Sequence, residues 1–300
     1  MADSLNLDEI LAFAISIARE MIRDGQAKRF DTGAGEDEKA NSVDVDKAVE
    51  DFLVAKIAEK YPEHKFIGEE TYEGQEITDA PTWIVDPIDG TTNFIHGFPM
   101  VATSIGLAVG GEPVVGVVYN PFLDQLYSAA KGKGAFLNEK TRLPLMGKVK
   151  PLYSLDQALI AVEYGSSRKA PALPAKLNTF KNLTADKSDG GQMVHSLRSL
   201  GSAALNLCQV ATGGVDLYWE IGCWPWDVCA GMSILAEAGG ASYGGKADDT
   251  AFNGQPTAKI MAGRKYLFVR NIAAPVGQTT RDAQAHIARE FYQNATEWTP

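Results

Sequence analysis

Cysteine is scarce in this chain of 300 residues: Cys208, Cys223 and Cys229 are odd in number and lack C-x-x-C spacing. That excludes a disulfide framework and a cysteine-built zinc site, and it fits a reducing compartment. Long apolar runs are also missing, and none approaches the roughly 20 residues needed to span a bilayer. The opening Met1-Ala2-Asp3-Ser4-Leu5-Asn6 has neither the basic region nor the apolar block of a secretory signal. The expectation is therefore a cytoplasmic protein with no membrane partner, in which the sequons at Asn182 and Asn294 are chance matches. Positive charge is in deficit, with 28 Lys+Arg against 38 Asp+Glu and a formal net charge of -10. A nucleic-acid partner, which demands a basic face, is disfavoured. A small phosphate ester is not, because a bound divalent cation reverses the local field. His64, His96, His195 and His286 are scattered without metal-ligand spacing, and no G-x-S-x-G elbow occurs, which disfavours a serine hydrolase.

What the chain does carry is concentrated in Trp83-Ile84-Val85-Asp86-Pro87-Ile88-Asp89-Gly90-Thr91-Thr92-Asn93-Phe94. An apolar, strand-like lead-in delivers two carboxylates three positions apart, and a Gly-Thr-Thr turn follows. Hard cations such as Mg²⁺ take oxygen ligands. Pro87 shapes the loop by fixing its own φ and restricting its neighbour, and Gly90 admits a turn conformation that a side chain resists. A lone D-x-x-D is a solvated turn; the apolar lead-in and the hydroxyls of Thr91 and Thr92 make a metal and phosphate site the better reading. Two further pieces accompany it. Glu69 and Glu70 end another apolar segment, and Asp227 follows Trp224-Pro225-Trp226 at the start of a helical pattern, where Asp also serves as a helix cap.

Apolar spacing predicts a helix from Leu7 to about Arg23 with a stop at Asp24-Gly25, a loop from Phe30 to Asn41, and a second helix from Val45 to Tyr61. A strand at Thr82 to Val85 and hairpins Thr103–Val109/Pro113–Tyr119 and Gln125–Ala129/Gly134–Leu137 follow. Lys131-Gly132-Lys133-Gly134 lacks Walker spacing and reads as a plain turn. Beyond a connector at about 143–154, strands and helices alternate in an α/β pattern. The expected organisation is a single domain over 1–300, with an N-terminal α+β lobe at about 1–150, a C-terminal α/β lobe at about 151–270 and a peripheral tail at 271–300.

The DPIDGTTNF and WDxxAG signatures with an intervening GEE resemble the inositol monophosphatase family, of the Mg²⁺-dependent, lithium-sensitive sugar-phosphatase superfamily. The likeness runs from about Ile10 to about Phe268 and is strong to the fungal quinate-pathway branch. It implies a layered α/β/α/β/α sandwich, homodimeric subunits, and hydrolysis of an inositol or related polyol or sugar phosphate by a metal-activated water. By the same resemblance, Glu69, Asp86 and the Ile88 carbonyl hold one Mg²⁺, and Asp86, Asp89 and Asp227 a second. Glu69 and Thr91 hold the attacking water, supported by Asp46. The amides of Gly90 and Thr91, with Thr92, cradle phosphate. Ser166, Glu220 and the stretch Gly201-Ser202-Ala203, the last through backbone N–H groups, meet the polyol together with Asp227.

One stretch departs from the family. Where an apolar-Thr-x-x-Asp element normally precedes the second helix, this chain reads Asn41-Ser42-Val43-Asp44-Val45-Asp46-Lys47, without the Thr and several residues short. Asp46 matches the family Asp, with Ser42 or Asp44 as substitutes for the missing hydroxyl. The alternative function is accordingly a catalytically impaired paralogue that binds polyol phosphates or a partner in a regulatory role. A haloacid-dehalogenase-type phosphatase fits poorly, because its carboxylates lie two apart.

Overall fold

The computed structural model describes residues 5–31, 38–145, 147–246 and 252–300, with side chains 21–44 excluded. Helices α1 (Leu7–Asp31) and α2 (Glu38–Lys60) open the chain. Strands β1 (Lys65–Gly68), β2 (Thr82–Asp89), β3 (Ala102–Val109), β4 (Glu112–Asn120), β5 (Gln125–Ala130), β6 (Gly134–Leu137) and β7 (Thr141–Arg142) form a seven-stranded sheet in sequence order, with the short helix α3 (Thr91–His96) after β2. A second, five-stranded sheet has the order β11-β12-β10-β8-β9. Its strands are β8 (Leu159–Val162), β9 (Ser196–Arg198), β10 (Leu217–Ile221), β11 (Ala241–Tyr243) and β12 (Lys265–Val269). The remaining helices are α4 (Ala172–Thr184), α5 (Ala203–Thr212), α6 (Pro225–Glu237), α7 (Ala258–Gly263) and α8 (Thr280–Asn294). No helix among the described residues is long and apolar enough to cross a membrane.

Strand alternation sorts these elements into five layers. Trp83 and Val85 of β2 pack with Ile10, Ile17, Leu53 and Ile57 of α1 and α2, while Ile84, between them, packs with Leu205, Leu207 and Met232 of α5 and α6. Tyr218 and Phe268 of the second sheet face that same middle layer. Leu217, Trp219 and Leu267 face outward onto α4 and α8 through Leu183, Ile287 and Phe291. The expected α/β/α/β/α sandwich is thus the observed arrangement.

Two expectations need correction. Helix α1 continues past Asp24-Gly25 to Asp31: an interior Gly costs only about 1 kcal/mol against Ala, and Gln26-Ala27-Lys28-Arg29 are strong helix formers. Helix α2 begins at Glu38, inside the supposed loop, because Glu38-Lys39-Ala40 favour helix as well. The polar C-terminal segment, whose spacing through Ala285, Ile287 and Phe291 reads as a peripheral helix or a frayed end, is a helix with a capping box at Thr279/Asp282 that buries Ala283, Ile287, Ala288 and Phe291 as part of the outer layer. The shortened element departing from the family is helical at 41–46, and the side chains of Ser42 and Asp44 lie outside the described residues. Gly132 and Gly134 form a turn whose N–H groups donate to the Glu237 carboxylate at 2.8 and 2.7 Å.

The middle layer meets the first sheet across a pair of glycines. Gly106 and Gly116 pair across β3 and β4, and α6 lies directly on them. A Cβ at Gly116 would sit 2.2 Å from the Ala230 carbonyl oxygen, and one at Gly106 would sit 2.6 Å from Cys229 Sγ.

Candidate metal and phosphate site

Asp86 and Asp89 lie three positions apart, so a regular strand would aim them at opposite faces of the sheet. The pairing of β2 with β3 shifts register between them. Pro87 has no N–H for the ladder, and its carbonyl instead accepts from Thr103 Oγ1 at 2.8 Å. The bulge re-aims Asp89, and both carboxylates face the middle layer, where Asp227 meets them. One carboxylate oxygen from each of Asp86, Asp89 and Asp227 lies within 4.8 Å of the others.

Two of the three carboxylates have hydrogen-bonded support. Asp227 occupies the first turn of α6 and accepts from the Trp224 N–H, so it caps its helix and faces the cluster at once. Asp89 accepts from the Ser202 hydroxyl and from the Ala203 and Ala204 N–H groups at 3.2 and 2.9 Å, which places it on the N-terminus of α5. Asp86 is 1% exposed, and its Oδ1 has no hydrogen-bond partner. Gly90 turns the chain with φ 90°, and a Cβ there would lie 2.8 Å from the Met100 carbonyl. Thr91 Oγ1 donates to the Ile88 carbonyl at 3.2 Å.

The electrostatics follow from so many acids with so little water. Burial, then Glu69 and Asp89, holds the Asp86 carboxyl well above its ordinary range. Burial and then Asp227 push Asp89 up to about 7, against the lowering effect of its three donors. Glu69 is exposed as a residue, yet its carboxyl enters the cleft and is raised by lost hydration, then by Asp227 and Glu70. Asp227 is raised by burial. Asp46 is raised to about 7 by burial and then Glu70, and its Oδ1 also has no partner. Buried acids that repel one another and leave oxygens unbonded are what a cation would relieve. The donors are all oxygen, which suits a hard divalent ion.

A cleft opens beside the cluster in two halves of about 410 and 360 Å³ that share Gly165, Glu220, Cys223 and Asp227, a small-molecule volume. Glu69 and Ser166 line one half; Asp89, Thr92, Gly201, Ser202 and Ala203 line the other. Two of the backbone N–H groups expected to face a ligand have acceptors within the protein: Gly201 N–H donates to Glu163 at 2.8 Å and Ala203 N–H to Asp89 at 3.2 Å. Both carboxylates themselves line the cleft.

Sequence reasoning missed several residues of the site. Glu163 accepts from Ser199 Oγ, the Leu200 and Gly201 N–H groups and Asn206 Nδ2. Asn93 donates to the carbonyls of Met100, Leu200 and Gly201, fastening the aspartate loop to that segment. Glu50, fully buried on α2, accepts from the Glu70 N–H at 2.9 Å. Its signal was available: a carboxylate between Val49 and Leu53 breaks the apolar face. Trp224 and Trp226 stack at 5.1 Å, with Tyr72 against both and the Arg264 guanidinium 3.7 Å over Trp224.

Comparison with known proteins agrees with this geometry. The profile of the Inositol monophosphatase family matches residues 6–295. The chain belongs to the inositol monophosphatase family. It is 54% identical over 218 residues to Inositol monophosphatase 2 of Saccharomyces cerevisiae, covering 70% of this chain and 72% of that one. It is 39% identical to Protein qutG of Emericella nidulans, with 97% and 94% covered. Among solved structures, the inositol monophosphatase from Anabaena (Nostoc) sp. PCC 7120 superposes with a TM-score of 0.70 at 28% identity, over 94% of this chain and 98% of that one.

Proposed function

We propose that this chain is a Mg²⁺-dependent phosphomonoesterase acting on inositol monophosphate or a related polyol phosphate. The observation that carries the reading is the cluster of buried Asp86 and Asp89 with half-buried Asp227, with an unbonded Asp86 oxygen, at the wall of a cleft. Asp86, Asp89, Asp227, Glu69 and the Ile88 carbonyl would hold the cation. When bound, Mg²⁺ supplies positive charge for the phosphoryl oxygens and lowers the pKa of water. The chain's own groups do the positioning. Gly90 and Thr91 present amides to the phosphate, Thr91 and Glu69 orient the attacking water, and Glu220 accepts from a polyol hydroxyl. Ser202 and the first turn of α5 fix Asp89 and favour its ionised form, which offsets part of the effect of burial.

The test is release of phosphate from inositol 1-phosphate with Mg²⁺ and with EDTA, across a panel that includes sugar phosphates. Release that requires the cation supports the reading; no release from any ester with saturating Mg²⁺ sinks it. A second reading, an impaired paralogue, is favoured by one observation: the Thr91 hydroxyl is directed to the Ile88 carbonyl while Asp46 Oδ1 has no partner. In that case the protein binds inositol 1-phosphate yet turns it over slowly, and inserting Leu-Val-Thr-Glu between Asp44 and Val45 raises kcat.

A further inference from the structure

The cleft contains a basic side chain with no part in the reaction outlined above. Lys176 on α4 is 1% exposed, and a buried ammonium requires partners for its three N–H groups. One donates to the Tyr164 carbonyl, and the ammonium lies 5.1 Å from the centre of the Trp298 ring. Across from it is Glu220, 4% exposed on β10, whose Oε1 accepts from the Ile221 N–H at 3.0 Å and keeps lone pairs to spare. Between the two stands Gly165, with φ +59° and no side chain. A Cβ at that position would lie 2.8 Å from Lys176 Nζ and 3.7 Å from Glu220 Oε1. The glycine therefore leaves a gap, open to both halves of the cleft, with a strong donor and a strong acceptor facing it.

A hydroxyl is the group that satisfies both at once, since it accepts and donates through one oxygen. A carboxylate offers nothing to donate to Glu220, and an ammonium is repelled by Lys176. We propose that Lys176 and Glu220 clamp one hydroxyl of the substrate's carbon skeleton, Lys176 donating to its oxygen and Glu220 accepting its hydrogen. Lys176 is thereby a specificity-determining residue for polyhydroxylated phosphate esters. The inference rests on the phosphatase reading and deepens it. The two groups also moderate each other: burial lowers the lysine and raises the glutamate, and each offsets part of the shift in the other.

The experiment compares kcat/KM for inositol 1-phosphate with that for 4-nitrophenyl phosphate, which has no ring hydroxyl, in wild type, Lys176→Met and Gly165→Ala, all with Mg²⁺. The first variant removes the donor; the second fills the gap from the opposite wall and serves if the first fails to fold. Thermal melts establish folding. The ratio of inositol to aryl activity is expected to fall about tenfold or more in each, mainly through KM, as loss of a hydrogen bond to a charged group implies. An unchanged ratio, or equal loss on both esters, overturns the clamp while leaving the phosphatase reading intact. If wild type hydrolyses neither ester, the phosphatase reading falls, and calorimetric binding of inositol 1-phosphate decides the clamp. About tenfold weaker binding by Lys176→Met sustains it; equal affinity, or no binding by wild type, overturns it.

Discussion

Replacing Asp86 by Asn should stabilise the cation-free protein and at the same time abolish its response to Mg²⁺. The carboxyl is 1% exposed, its Oδ1 is unbonded, and Glu69, Asp89 and Asp227 surround it. All of these acids have folded-state pKa values above their unfolded ones, so between pH 4 and 7 the folded state holds more protons than the unfolded state. Stability of the cation-free protein therefore falls as pH rises through that window. Asp89 sets the scale: moving from 3.8 to about 7 corresponds to roughly 4 kcal/mol when fully ionised. An amide at position 86 removes one of the charges and can donate to Asp227, so a gain of about 1–4 kcal/mol is expected. At about 2 °C per kcal/mol for a chain of this length, Tm in EDTA at pH 8 should rise by about 2–8 °C. Wild type should gain about 2.7 kcal/mol at a Mg²⁺ concentration near 100 Kd, while Asp86→Asn gains almost nothing. At pH 5 the difference between the two should shrink. A differential scanning experiment measures all of this. If the variant melts lower than wild type in EDTA at pH 8, or if Mg²⁺ raises both equally, then the cluster is not a strained cation site.

Asp89→Asn should lower turnover of inositol 1-phosphate at least about a hundredfold in a phosphate-release assay, since an amide cannot neutralise the cation. Glu163→Ala strands the donors of Ser199, Leu200, Gly201 and Asn206; it should cost about 2–3 kcal/mol in urea unfolding and raise KM more than it lowers kcat. Arg270→Met leaves Asp216 without its 2.6 Å partner in a half-buried setting, and a loss of about 3–5 kcal/mol is expected from the urea midpoint.

The legible parts of this protein were those written locally. The aspartate loop, its Gly90 turn and the helix carrying Asp227 are contiguous strings whose residue types state their chemistry, and the hairpins follow from period-2 alternation with Gly-Gly at a turn. What could not be read is set by contacts between distant segments. Glu163 and Asn93 act on the 199–206 segment, some 40 and 107 residues away, and nothing near either residue signals that partner. Lys176 sits on an unremarkable amphipathic helix, and only folding brings it to Glu220. The helix bounds failed for another reason: Gly25 signals a stop that good helix formers on its far side override.

The glycine pair under α6 has a consequence for how the acidic cluster is set out. Gly106 and Gly116 let the helix rest backbone to backbone on the strand pair, at Ala230, one turn after Asp227. The same sheet carries Asp86 and Asp89 on β2. The separation of the three carboxylates is therefore fixed by a hard mechanical stop, like the shoulder on a depth gauge, with backbone against backbone at Gly116 and only the small Cys229 side chain against Gly106. A single methyl at Gly116 would act as a shim. It would lift α6 and draw Asp227 away from its companions without touching any residue that meets a ligand. Tolerance to substitution should thus be low at Gly106 and Gly116, although neither lines the cleft.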